Sequence, residues 1–99
     1  MDTKSGVVRV AAEPGRYFVP SSVGPVLVDI CALKGNGWCG CEDFYNRQHG
    51  RLERGEPGPH RCKHLRAARA WEVAESQVSE AALDQWVRVW NLGHPQQED

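Results

Sequence analysis

In the first third of this chain the apolar side chains come in short runs. Val7 to Ala12, Arg16 to Val19 and Pro25 to Ala32 are rich in Val, Ile, Tyr and Phe. The residues between them, Glu13-Pro14-Gly15 and Ser21-Ser22-Val23-Gly24, are turn formers, so the segment predicts an antiparallel β-meander. Within the third run Val26, Val28 and Ile30 alternate with Leu27, Asp29 and Cys31, giving one uniformly apolar face and one mixed face. Lys34-Gly35-Asn36-Gly37 then turns the chain into Trp38-Cys39-Gly40-Cys41.

After Cys41 the pattern lapses. Residues 42–61 carry no apolar period and centre on Arg-Leu-Glu-Arg-Gly-Glu-Pro-Gly-Pro, so they are expected to form a mobile loop. Beyond Pro59 the spacing becomes three and four. His64, Ala67, Ala68, Trp71, Ala74 and Val78 define one face of an amphipathic helix from about Cys62 to Gln77, with Lys63, Arg66 and Arg69 on a different stripe. Leu83, Trp86, Val87 and Trp90 predict a second helix, with Ser79 as its N-cap and Gly93 and Pro95 as stop signals. The alternative is one helix bent near Ser76 to Ser79. Trp71, Trp86 and Trp90 are expected to anchor the core, and the polar end Pro95 to Asp99 to fray. The expectation is a single α+β domain over residues 1–99, with strands at about 6–41, a loop at 42–61 and helices at about 62–92.

Composition narrows the class. With 99 residues, 40% of them hydrophobic and 25% charged, the chain reads as an ordinary globular protein whose core gives limited stability unless something staples it. No apolar run approaches the length of a membrane span, and the polar start Met1-Asp2-Thr3-Lys4 is no signal peptide. The expected location is therefore the cytoplasm, or the nucleus of a eukaryote, and not the secretory route. In a reducing compartment clustered Cys and His read as metal ligands rather than disulfides.

The formal net charge of -1 hides a segregated distribution. Between Phe44 and Arg69 the cations Arg47, Arg51, Arg54, Arg61, Lys63, Arg66 and Arg69 face only Glu53 and Glu56, a formal +5, whereas Ala70 to Asp99 carries a formal -5. Such asymmetry can focus an anionic ligand on one face, although charge runs are more often a solvated surface.

Cys39-Gly-Cys41 and Cys62-Lys-His64 concentrate the chemistry. In extended chain, residues two apart project to the same side, so Cys39 and Cys41 reach one ion while Gly40 lets the backbone turn around it. Cys62 and His64 sit where a helix begins, and its free amides and partial positive charge favour thiolate over thiol. Three sulfurs and one nitrogen make a tetrahedral set suited to structural zinc, with no position left open for substrate or activated water. Cys31 is expected to be a small buried hydrophobe. His49 and His60 are solvated spare donors, although His60 stands close enough in sequence to substitute for a ligand. Trp38 either shields the site or presents a face to a partner.

The order Cys-x-Cys, spacer, Cys-x-His, with the first pair ending a strand and the second opening a helix, resembles the SWIM zinc finger. Trp38-Cys39-Gly40-Cys41-Glu42-Asp43-Phe44 and Cys62-Lys63-His64-Leu65 carry the likeness, which extends over roughly residues 17–74. The 20-residue spacer is towards the long end, and Gly40 stands where Ser, Thr or Pro is more usual. The resemblance implies a strand-strand-helix finger that binds DNA or other proteins, often as an accessory module of larger chromatin, transposase or ubiquitin-related proteins.

Two functions follow as expectations. One is a zinc module that binds nucleic acid, with DNA as the expected form, through Arg47, Arg51, Arg54, Arg61, Lys63, Arg66 and Arg69, which would contact phosphates with little base information of their own. The other is a protein-protein interaction adaptor of a larger recombination, replication or chromatin-type assembly, favoured by the acidic second helix. No Ser-His-Asp arrangement, phosphate loop or carboxylate pair marks an enzyme, and no small-molecule substrate or membrane partner is expected.

Overall fold

The computed structural model describes residues 6–93. Four short strands, β1 (Val8–Arg9), β2 (Arg16–Val19), β3 (Val26–Asp29) and β4 (Trp38–Cys39), form one antiparallel sheet in sequential order. This is the expected meander, with strands shorter than the apolar runs. Ordered turns take up the remaining residues: Val10 N–H donates to Arg16 O at 3.0 Å and Ile30 N–H to Gly15 O at 2.9 Å. In β2 the alternation is clean, Tyr17 and Val19 inward and Arg16 and Phe18 outward.

Three helices follow. A π-helical turn, Phe44–Gln48, runs into α1 (His49–Glu53), and then come α2 (Lys63–Ser76) and α3 (Glu80–Gly93). Half of the segment expected to be a loop is thus helical. Its apolar anchors, the fully buried Phe44 and half-buried Leu52, are too few to register as a period, and tertiary packing supplies the helix instead. Between α2 and α3 the question of one bent helix or two is resolved by Gln77, which caps α2 in the left-handed conformation (φ 57°) while Val78 N–H bonds back to Val73 O. Ser79 Oγ then accepts from Ala82 N–H at 3.0 Å, the expected N-cap. Pro95 and the polar end to Asp99 lie outside the described residues.

Two expectations about the helix faces are corrected. The buried face of α2 comprises His64, Leu65, Ala68 and Arg69, whereas Ala67 and Ala74 are exposed. Alanine contributes little area to bury, so the rotation of α2 follows its larger demands, which are Leu65 in the core and His64 beside the cysteines. Trp86 is 39% exposed and stacks on Trp90 at 5.9 Å; Leu83 and Val87 are the buried anchors of α3. Trp71 does pack against the core, meeting Tyr17 edge-on at 5.9 Å and lying under the Arg9 guanidinium at 4.9 Å. Glu72 ties α2 to the sheet by accepting from Arg9 and, at 2.7 Å, from the Tyr17 hydroxyl. No helix among the described residues is long and apolar enough to cross a membrane.

Candidate metal centre

The end of β4 and the start of α2 bring four donors together. Cys39 closes the strand and Cys41 lies two residues on. Cys62 is the N-cap of α2 and His64 sits in its first turn. One donor atom from each of the four lies within 4.8 Å of the others, and Cys39 Sγ stands 3.8 Å from His64 Nδ1. Around a small tetrahedral ion with metal–sulfur bonds of about 2.3 Å, neighbouring donors stand about 3.8 Å apart, so this set fits one after small adjustments. All four cysteines of the chain are free of disulfides. Cys39, Cys62 and His64 are buried and Cys41 is half-buried, which shields the site on most sides.

Local backbone geometry prepares the sulfurs for an ion. Phe44 N–H donates to Cys41 Sγ at 3.3 Å, fixing that thiol as the chain turns out of the sheet. The Cys62 thiol is drawn down to about 5, first by the hydrogen bond from the Cys39 thiol and then by the Leu65 and His64 amides that open α2. Cys39 moves upward, because it shares its proton with Cys62 and is buried. A cation replaces that shared proton directly, so binding releases protons and weakens as the pH falls.

A clasp that the sequence did not advertise sets the distance between the two ligand pairs. The Asn36 side chain reads the backbone of His60 as a paired strand would, accepting from its N–H at 2.7 Å and donating to its C=O at 2.8 Å. Arg61 completes the clasp by donating from Nε to Asn36 O at 2.8 Å and from its terminal nitrogen to Gly35 O at 3.1 Å. Gly37 (φ 98°) allows the close approach, since a Cβ there would meet Leu65 Cδ2 at 2.6 Å. The Gly-Asn-Gly turn was legible as a turn, but its grip on a partner 24 residues away was not. Replacing Asn36 with Ala leaves both His60 backbone groups without this partner, and is expected to cost about 1–3 kcal/mol. A thermal melt of the metal-loaded variant measures that loss.

The other proposed residues divide. Cys31 lies outside the cluster, fully buried against Gly15, with its thiol pushed up to about 12 by burial. His60 is also outside and, contrary to the expectation of a solvated donor, is buried, its Nε2 2.9 Å from Glu56 O. His49 packs against Phe44 and Tyr45. Among the seven cations, Arg47, Arg51, Arg54, Lys63 and Arg66 are exposed. Arg47 pairs with Asp43 at 3.3 Å and Arg54 with Glu56 at 2.8 Å.

Arg61 and Arg69 are not part of an open cationic face. Arg61 is half-buried in the clasp. Arg69 is 4% exposed and bridges α2 to α3 through Glu80, at 3.1 Å, and Asp84. Helical spacing placed Arg69 with Lys63 and Arg66, but the angle at which α3 crosses α2 covers that end of the stripe. Comparison of the chain with protein-family models, curated proteins and solved structures finds no match.

Proposed function

We propose that this chain is a structural zinc module of the SWIM type that binds nucleic acid. Three thiolates with one imidazole suit zinc, and four protein donors give the ion a structural rather than a catalytic task. The observation that carries the nucleic-acid reading is the helical conformation of residues 44–53. Spacings of four and three put Arg47 and Arg51 within it and Arg54 at its C-cap along one exposed side, with Lys63 and Arg66 exposed at the start of α2. The ion pairs of Arg47 and Arg54 are surface pairs and exchange readily for phosphate.

Binding should therefore weaken steeply with salt, and replacing Arg47, Arg51 and Arg54 together with Gln should flatten the slope of log affinity against log salt by about 2–3. Anisotropy titrations across a salt series measure both slopes. An unchanged slope would move the contact elsewhere.

A second reading, the protein adaptor, is favoured by a groove of about 480 Å³ between the β1–β2 turn and the α2–α3 elbow. Val10, Ala12, Val78, Leu83 and Trp86 line it. Pull-down of a partner whose binding is lost on Trp86→Ser, with no nucleic-acid affinity at low salt, would favour it.

A further inference from the structure

Among the described residues, α2 packs on one face of the sheet, and the other face exposes apolar side chains. Tyr17, Val28 and Cys39 point to the side that α2 covers, and the alternation therefore sends Val8, Phe18, Leu27 and Trp38 to the other. Val8 is 58% exposed and its partner Phe18 43% exposed, with Leu27 and Trp38 half-buried on the next two strands. Tyr45 extends this face past the sheet edge, since its ring meets Trp38 at 6.3 Å and is 52% exposed. The arginine stripe begins two residues later on the same short helical segment and runs along the side away from Tyr45, so a strand that crosses this segment meets rings on one flank and cations on the other.

From this juxtaposition we infer that the nucleic acid bound is single-stranded, with bases stacking on Tyr45, Trp38 and Phe18 while Arg47, Arg51 and Arg54 follow the phosphates. The inference rests on the nucleic-acid reading above and deepens it. A duplex hides the faces of its bases, so exposed rings gain nothing from it, whereas every unpaired base offers a π-face and leaves sequence preference weak. Phe18 and Trp38 stand two strand spacings apart and are offset by two residues along the strands, about 12 Å in all, too far for one base to bridge and right for separate bases of an extended strand. Charge and stacking thus match one ligand chemistry, shared by DNA and RNA single strands.

The test uses the zinc-loaded full chain and fluorescein-labelled oligothymidylate, oligouridylate and mixed-sequence duplex, each of about 20 units, read by anisotropy at about 50 mM salt. The expected result is at least tenfold tighter binding of the single strands than of the duplex. Tyr45→Ala should lose about tenfold on the single strands with zinc content and circular dichroism unchanged, and Tyr45→Phe should restore it. The oligouridylate and oligothymidylate arms separate RNA from DNA. Duplex binding as tight as single-strand binding, with Tyr45→Ala without effect, would overturn the inference while leaving nucleic-acid binding in place. No binding to any of the three overturns both.

Discussion

Chelation of zinc from the loaded protein is expected to abolish most of its cooperative fold. Cys39 and Cys62 are buried in the core with Val28, Phe44 and Leu65, so a bound ion would join sheet to helix inside it. Without it, three sulfur groups and an imidazole share a buried space and can satisfy one another only by passing protons between them. Apparent zinc affinities in small fingers are about 10–16 kcal/mol, comparable to the whole stability of a domain this size, about 5–15 kcal/mol. A single ligand change, Cys41→Ser or His64→Ala, should therefore remove at least about 3 kcal/mol and lower Tm by roughly 15 °C. Cys31→Ser is the control. That residue is as deeply buried as Cys39 but outside the cluster, so the change should keep one zinc per chain and cost only about 1–2 kcal/mol. Elemental analysis and melting curves decide the matter. A metal-free protein that melts as sharply and as late as the loaded one would remove the metal from the account of stability.

Legibility in the sequence followed how local each signal was. The meander, the start of α2 at Cys62, the Ser79 cap and each of the two ligand pairs rest on residues within a turn or two of each other, where alternation, capping and spacing act directly. Misplaced features depended on contacts across the chain. Residues 44–53 become helical because Phe44 and Leu52 find a core built by the sheet. Asn36 gains its task only when His60 is brought beside it. The face of α2 was misjudged because a helical wheel weighs alanines as apolar without knowing where α3 crosses. The same omission made a buried arginine look like a surface one.

That arginine gives the second large effect. Arg69 holds α2 against α3 with its side chain enclosed, but its partners Glu80 and Asp84 are more than half exposed. The desolvated charge in this cluster is thus the guanidinium alone, and once it is gone the carboxylates return to water. Glu80 also sits in the first turn of α3, where a negative charge is favourable. An apolar side chain of similar length should therefore be tolerated: Arg69→Met is expected to cost less than about 1 kcal/mol, because the stem packing survives and no unpaired charge remains. Arg69→Ala leaves a void and should cost about 2–3 kcal/mol. Arg69→Glu buries a carboxylate facing two others and should cost at least about 3–5 kcal/mol, enough to unfold much of the protein. The predicted order of stability is parent, Met, Ala, Glu, read from urea midpoints of the zinc-loaded variants. It follows that charge reversal at Arg66 and Arg69 together cannot test phosphate binding, since lost affinity would report lost structure. Arg66→Glu alone, on the exposed side of α2, is the clean probe. If Arg69→Glu were as stable as the parent, the α2–α3 clamp would be absent in solution, and Arg69 would return to the cationic surface with Lys63 and Arg66.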